Sequence, residues 1–106
     1  MENLNWSPSE KRLARSLFDQ AVEAELKELM ADFKAQAEAV KKPEEMWGLR
    51  KYLEQTEREF QSKYDYRYSQ LIFILGHLVR EGRIPESRLE GFSQDKRDYI
   101  NRIVTL

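Results

Sequence analysis

One uninterrupted helix-forming segment limits what this chain can fold into. From Ser9 to Lys42 the sequence contains neither glycine nor proline and is rich in alanine, leucine, glutamate and lysine, which have high helix propensities. At 1.5 Å per residue, a helix over this segment would be about 50 Å long. A compact chain of this size has a radius of gyration of only about 13 Å, so it cannot enclose such a helix. The sequence therefore predicts an elongated protein.

Capping signals mark both ends of this first helix. Ser7 is a favourable N-cap, Pro8 suits the first helical position, and Glu10 stands at the capping-box position. The run Lys41-Lys42-Pro43 predicts the end of the helix. The run Pro43-Glu44-Glu45 predicts the start of a second helix, because proline and acidic residues suit a first turn.

Both predicted helices carry an apolar stripe with spacings of three and four residues. The stripe on the first helix consists of Phe18, Val22, Leu26, Leu29, Phe33, Ala37 and Val40. The stripe on the second consists of Met46, Leu49, Leu53, Thr56, Phe60, Tyr64, Leu71, Leu75 and Leu78. This second pattern predicts one long helix that ends at Gly82, with the option of a bend at residues 64–68.

The C-terminal part of the chain predicts a small helical head. From Leu71 to Leu75 the sequence is apolar on every side of the helix, so other elements must surround it. Residues 85–91 predict one short helical turn, and Ser93 caps a last helix. No strand pattern is present. The fold prediction is therefore all-α: one domain, 1–106, with an antiparallel two-helix stalk (about 8–66) and a C-terminal head (about 67–106). Leu4 and Trp6 are candidates for packing back from an otherwise loose N-terminal segment of residues 1–6.

The two-helix stalk predicts a homodimer. Two antiparallel helices cover only one stripe each, and nothing else in the chain is available to complete the core away from the head. The first helix also has a neighbouring apolar stripe, formed by Leu13, Leu17, Ala21 and Ala24. A two-fold pairing of identical hairpins through the stalk would cover these surfaces. The alternative is a three-helix monomer whose tail folds back along the hairpin.

The residue types argue against enzymatic, metal or cofactor chemistry. The chain has no cysteine and one histidine, His77, with Ile74 three positions before it, so neither a cysteine site nor a Glu-x-x-His motif is present. Its acidic residues alternate with lysine and arginine at helical spacing, which is typical of solvated ion-pair faces. We therefore predict a protein that is not an enzyme, with no catalytic residue, no bound metal and no cofactor.

Charge and hydropathy limit the partners. The chain has 18 basic and 19 acidic residues, and the cations near its C-terminus alternate with acids, which disfavours nucleic-acid binding. No apolar run approaches the ~20 residues of a membrane span, and no secretion signal is visible, so we expect a cytoplasmic protein without membrane insertion.

Trp47 is the most informative single residue. It lies more than about 90° from the centre of the second apolar stripe on a helical wheel, and its own face continues with Lys51, Glu54 and Arg58. Tryptophan is enriched at binding hot spots, so an exposed Trp47 predicts a docking surface. The alternative is that Trp47 packs over the hairpin turn against Val40, or across the dimer, with Lys51 over its ring.

The chain resembles the fluorescence recovery protein family over essentially its whole length, most densely from Trp47 to Gly82. The resemblance is carried by the run MWGLRKYLEQTEREFQSKYDYRYS from Met46 to Ser69, its continuation QLIFILGHLVREG, and Asp95-Lys96 in the last helix. It implies an all-helical dimer that binds the C-terminal domain of photoactivated orange carotenoid protein. It also implies faster return of that protein from its red to its orange form, which ends quenching at the phycobilisome. The implied location is the cytoplasm, or a peripheral position at the cytoplasmic side of thylakoids.

The resemblance implies roles for individual residues. It places Trp47, Arg50, Lys51 and Phe73 at the partner surface, although Phe73 can also be read as a core residue. Met46 matches a position important for dimerisation in the family. The predicted dimer interface comprises Met46, Leu49, Leu53, Glu57 and Phe60.

Some charged positions differ from the family pattern. Arg50-Lys51 replaces a His-Asp pair of the family, while Glu57 and Tyr99 stand at family positions that are basic. These differences leave open a dimeric adaptor of the same family with another protein partner, in a cell that lacks orange carotenoid protein. They also suggest a hypothesis in which Lys51 and Glu57 form an ion pair between the two copies.

Overall fold

The computed structural model describes residues 4–106 and consists of helices joined by short connections. These are α1 (Pro8–Ala39), α2 (Glu45–Lys63), α3 (Tyr68–Arg80), the short 3₁₀ helix η1 (Glu86–Leu89) and α4 (Gln94–Val104). No strand occurs among these residues, which confirms the all-α prediction. Part of the N-terminal segment that was expected to be loose, residues 1–3, lies outside the described residues.

The predicted capping box starts α1. The amide of Glu10 donates to Ser7 Oγ at 3.1 Å, and the amide of Ser7 donates to Glu10 Oε1 at 2.9 Å. Two free amides of the first turn are therefore satisfied by side chains, and Pro8 stands at the first helical position as predicted. The helix then runs without interruption to Ala39.

The predicted long second helix is two helices, α2 and α3. Tyr64 ends α2 with a backbone amide that still donates to Phe60 O, and Arg67 is extended at φ −133° and ψ 137°. Tyr64 is 9% exposed, and its hydroxyl donates to Glu25 Oε1 at 2.8 Å. This buried anchor stabilises a non-helical C-cap at Tyr64, although the apolar spacing continues through the break.

The chain divides into two compact units. The core unit comprises residues 4–21 and 65–106, and the hairpin unit comprises residues 22–64. In the core unit, the fully buried side chains of greatest volume are Leu71, Ile72, Leu75, Leu78 and Ile100.

The N-terminal part of α1 is a component of the core unit. Leu17 and Ala21 are only 2% and 3% exposed, and Leu13 is half-buried. The expectation that this second stripe requires a partner molecule is therefore wrong for these three residues, because the core unit of the same chain covers them. Only Ala24, which belongs to the hairpin unit, is exposed.

A buried ion pair joins the two ends of the core unit. Lys96 Nζ lies 3.1 Å from Glu10 Oε1, with 6% and 8% of the two side chains exposed. Lys96 Nζ also donates to the carbonyl oxygen of Asn5 and lies 4.9 Å from the centre of the Trp6 ring. Trp6 is 9% exposed, so the expectation that it packs back is confirmed.

Glu10 is held in its charged form. Burial raises its pKa, but hydrogen bonds from the amides of Ser7 and Ser93 and the ammonium group of Lys96 outweigh burial and lower the pKa to about 2. The Ser93 amide donates to Glu10 Oε2 at 2.8 Å. The two carboxylate oxygens therefore connect the start of α1 to the start of α4.

Gly76 permits close packing of α3 and α4, which leads to a prediction. A methyl group at Gly76 would lie 2.7 Å from Ile103 Cγ2 and 2.8 Å from Ile103 Cβ. We expect Gly76→Ala to lower the free energy of unfolding by about 1–3 kcal/mol because of overpacking, measured by urea denaturation. Gly48→Ala is the matched control, since a methyl group there meets nothing within 4 Å and alanine favours a helix by about 1 kcal/mol. A Gly76→Ala protein as stable as the Gly48→Ala protein would contradict this account.

Candidate protein-docking surfaces

The turn between α1 and α2 is fixed by the side chain of Glu45. Its Oε1 accepts hydrogen bonds from the amides of Lys41 at 3.1 Å and Lys42 at 2.7 Å. The carbonyl oxygen of Pro43 accepts from the Met46 amide at 3.1 Å and so contributes to the first turn of α2. These bonds place Met46 and Trp47 at the tip of the hairpin unit.

The opposite end of the hairpin unit is held by a polar cluster. Glu25 Oε1 accepts from Lys63 Nζ at 2.7 Å and from the Tyr64 hydroxyl at 2.8 Å. The side chains of Lys63 and Glu25 are 27% and 13% exposed, so this ion pair is partly shielded from water. Glu25 lies early in the α1 part of the unit and Lys63 at the end of α2, so the two helices are antiparallel.

The α2 side chains that face α1 are only partly buried. None of the α2 side chains is fully buried, and Leu49, Tyr52, Thr56 and Phe60 are half-buried at a spacing of three and four residues. These residues share one face of the helix. The two helices of the hairpin unit therefore cover only part of their apolar surface.

An apolar groove lies beside this face. It has a volume of about 530 Å³, and the apolar side chains at its rim are largely in solvent, with Leu26 48%, Met30 53% and Leu53 47% exposed. Exposed apolar patches of this kind are typical of sites at which proteins interact. The groove is lined by Leu26, Leu29, Met30, Phe33, Tyr52, Leu53, Thr56, Glu57, Phe60 and Gln61.

The residues predicted for the dimer interface do not all share one groove. Leu53, Glu57 and Phe60 line the groove described above. Leu49 lines a second depression of about 210 Å³ near the tip, and Met46 is 50% exposed. Their role in dimerisation stays a prediction.

Sequence reasoning missed two of the apolar and aromatic groove residues, Met30 and Tyr52. Met30 lies one helical turn beyond Leu26, and Tyr52 lies three residues after Leu49. Both residues therefore fit the three- and four-residue spacing of the apolar stripes. They were overlooked because each lies towards the edge of its stripe.

Trp47 lies on another face of α2. At 100° per residue, it stands about 180° from the face formed by Leu49, Tyr52 and Thr56. Its side chain is 62% exposed, and neither Lys51 nor any aromatic ring in residues 4–106 stacks on the indole. Contacts within the chain therefore leave the indole in water, and its role in docking stays a prediction.

The charged residues near Trp47 differ in their pairing. Arg50 Nε lies 3.1 Å from Glu54 Oε1, on an exposed part of α2. Lys51 and Glu57 are exposed and have no ion-pair partner in the described part of the chain. They are six residues apart and point in directions that differ by about 120°, so they cannot pair within one helix.

Phe73 belongs to the core unit. It is half-buried on α3, between Ile72 and Ile74, which are 1% and 8% exposed. Part of its ring contributes to the core, and part remains accessible to another molecule. Both readings of Phe73 from the sequence are therefore compatible with its burial.

Neither a metal-binding cluster nor a membrane-spanning helix is found among the described residues. No group of three or more histidine, cysteine, aspartate or glutamate residues in the range 4–106 is arranged to hold a metal. His77 is exposed on α3. Across the same range, every helix is too short or too polar to cross a bilayer.

Comparison with known proteins gives one consistent result. Residues 6–104 match the family model described as photoprotection regulator fluorescence recovery protein. The chain is 33% identical over 101 residues to the fluorescence recovery protein of Synechocystis sp. PCC 6803, covering 95% of this chain and 93% of that protein. Among solved structures, the Fremyella diplosiphon fluorescence recovery protein matches with a TM-score of 0.86 and 31% identity, covering 96% of this chain and 100% of the other. The Synechocystis structure gives the same TM-score, 0.86, at 32% identity, with the same coverage of 96% and 100%.

Proposed function

The chain belongs to the fluorescence recovery protein family of photoprotection regulators, and on that basis we propose that it is a non-enzymatic, protein-binding regulator of photoprotection. In this proposal it binds the C-terminal domain of photoactivated orange carotenoid protein and accelerates the return from the red to the orange form. The result is the end of energy quenching at the phycobilisome. The proposed location is the cytoplasm.

The observation that carries the proposal is the exposed indole of Trp47. Its side chain is 62% exposed at the tip of the hairpin unit, beside Met46, which is 50% exposed. Tryptophan is among the residues most enriched at energetic hot spots of protein interfaces, because it buries a large area with little loss of conformational freedom. We propose that Trp47, Arg50, Lys51 and Phe73 contact the partner.

A regulator of this kind acts through differential binding. A protein that binds one conformation of its partner more tightly shifts the population towards that conformation. It accelerates the change when it binds the transition state more tightly than the starting state. No covalent chemistry is required of the regulator, in agreement with the regulatory role of its family.

We also propose that the protein is a homodimer formed through the hairpin unit. The groove and its exposed apolar rim support this proposal, because a two-fold contact would bring two such grooves together and remove both from water. The proposed interface residues are Met46, Leu49, Leu53, Glu57 and Phe60.

A second candidate function follows from the charges near Trp47. Arg50 and Lys51 stand where the family carries His-Asp, and the structure pairs Arg50 with Glu54. The same scaffold would then serve a different protein partner in a cell without orange carotenoid protein.

The test is the rate of the red-to-orange return of orange carotenoid protein in dim light. We expect the protein to accelerate the return and Trp47→Ala to weaken this effect about tenfold or more, which corresponds to about 1.4 kcal/mol. Leu106→Ala is the matched control, because Leu106 is another exposed apolar side chain at 84% exposure. Circular dichroism of each variant must show unchanged helicity. A return rate that stays the same at excess protein would favour the second candidate.

A further inference from the structure

The face of α2 that carries Trp47 has a charge opposite in sign to that of the whole chain. The chain has a formal net charge of −1. On the outward half of α2, the exposed cations are Arg50, Lys51 and Arg58 and the exposed anions are Glu54 and Glu57, so three cations accompany two anions. This local excess of positive charge lies around the exposed indole.

Two of these cations have no partner of their own. Glu54 is engaged by Arg50, with Arg50 Nε at 3.1 Å from Glu54 Oε1. Lys51 and Arg58 form no ion pair, side-chain hydrogen bond or cation–π contact with any residue that the structure describes. Their spacing from Trp47 is four and eleven residues, so all three side chains lie along one line of the helix surface.

The backbone is also accessible beside the indole. Gly48 is helical with an ordinary negative φ, and a methyl group added there would meet nothing within 4 Å. Neither backbone conformation nor packing within this chain therefore requires glycine, which costs a helix about 1 kcal/mol relative to alanine. A glycine at such a position lets another molecule approach the helix closely.

From these observations we infer that the Trp47 face recognises an acidic segment of a protein partner. An apolar side chain of the partner would lie against Trp47 and Gly48, and two of its carboxylates would pair with Lys51 and Arg58. At 1.5 Å per residue these two cations are about 10 Å apart along the helix, which is the spacing of carboxylates two turns apart on a partner helix. The inference rests on the proposed function and adds the chemistry of the partner.

A second copy of this chain is a poor occupant for this face. A two-fold contact brings a surface against itself, so the excess of cations on this face of one copy would approach the same excess on the other. Like charges in contact oppose association. The apolar groove, which lies on a different side of α2, has no such excess of cations.

Nucleic acid and anionic membranes fit less well than an acidic protein segment. Both present dense negative charge and require a broad basic surface. Here only two free cations flank one indole, and Glu54 lies between them in sequence. An exposed tryptophan with an arginine nearby and a polar surround is instead typical of a protein interface.

The experiment uses Trp47 as its own reporter. The chain has two tryptophans, so Trp6→Phe leaves Trp47 as the only one. The probes are a soluble helical peptide of glutamate, alanine and leucine and its counterpart with lysine in place of glutamate. We expect the acidic peptide to shift Trp47 emission to shorter wavelength, and the basic peptide to leave it unchanged. The double variant Lys51→Glu with Arg58→Glu should weaken acidic-peptide binding about tenfold or more.

Controls separate this inference from the others. Arg12→Glu with Lys27→Glu makes the same charge change on exposed positions of α1 and should leave peptide binding unchanged.

Equal binding of both peptides, binding of neither, or an intact response in the Lys51/Arg58 variant would overturn the inference. So would stronger binding to duplex DNA or to anionic vesicles, or a shift of the monomer–dimer equilibrium by Lys51→Glu that Glu57→Lys restores. The carotenoid-protein assay is separate: acceleration that persists in the Lys51/Arg58 variant would retain the proposed function and reject the acidic segment.

Discussion

Replacing Lys96 with methionine is expected to lower the free energy of unfolding by about 3–5 kcal/mol, the cost of leaving one partner of a buried ion pair unpaired. Methionine keeps an unbranched apolar stem but has no ammonium group. Glu10, which is 6% exposed, would retain only the amide hydrogen bonds from Ser7 and Ser93. The carbonyl oxygen of Asn5 would lose its donor as well. Urea denaturation followed by circular dichroism measures the change.

Lys27→Met is the matched control. Lys27 makes an ion pair with Glu23 at 3.3 Å, but both side chains are 71% exposed, and such pairs contribute about 0–1 kcal/mol. A loss in Lys96→Met no larger than in Lys27→Met would show that the buried pair contributes nothing.

The pH dependence of stability gives an independent signature of Glu10. Its pKa is about 2 in the folded protein, against an ordinary value of 4.5 for a glutamate side chain. Below pH 4.5 the Glu10 carboxylate is therefore protonated in the unfolded chain, whereas in the folded protein it stays ionised until the pH approaches about 2. The contribution of Glu10 is complete above pH 4.5 and decreases as the pH falls towards 2, by roughly 3 kcal/mol in total. In Lys96→Met this decrease should be smaller, because the pKa of Glu10 is no longer lowered by the ammonium group.

Replacing Leu53 with glutamate is expected to abolish the proposed dimer. Leu53 is 47% exposed in the groove, one helical turn before Glu57. The new carboxylate would lose hydration in a dimer interface and repel Glu57, and a two-fold contact contains the change twice. We expect the dissociation constant of the dimer to rise about a hundredfold or more, measured by light scattering or sedimentation. Because Leu53 is half in water within one chain, helicity should be nearly unchanged.

Ala35→Glu provides the control for this variant. Ala35 is exposed on α1 and does not line the groove, so the same added charge should leave the association unchanged. Dimers of equal strength in both variants would place the contact elsewhere on the molecule.

Local signals in the sequence were sufficient to predict most helix boundaries. Ser7 with Glu10 and Ser93 with the amide of Lys96 are hydrogen bonds within a few residues, so their geometry follows from spacing alone. Gly82 adopts φ 80° just after α3, as expected for a C-terminal stop. The break after Lys63 was harder to place, because it depends on Glu25, which is 39 residues from Tyr64.

The tertiary role of the first helix could not be read from periodicity. The apolar stripe on the first helix predicts that Leu17 and Ala21 are buried. It does not determine whether the same chain or a second molecule buries them. One clue to the core unit was available: Lys96 stands in the first turn of α4, where the helix dipole disfavours a cation. A lysine at that position suggests a nearby anion, and Glu10 supplies it.

The candidate docking surface was predicted in part. The wheel position of Trp47 indicated its exposure, and the structure agrees with this at 62%. The pairing of Arg50 with Glu54, which leaves Lys51 and Arg58 without partners, depends on rotamers. Spacing alone does not determine which of several neighbouring charges pair.

The division of the chain into two units has a consequence for the order of folding. The hairpin unit is one continuous stretch, residues 22–64, closed by a turn of a few residues. The core unit instead joins residues far apart in sequence, as shown by Glu10 and Lys96, which are 86 positions apart. Loop-closure entropy makes such non-local contacts slower to form than local ones. The hairpin is therefore the expected early event, and closure of the core unit the rate-limiting one.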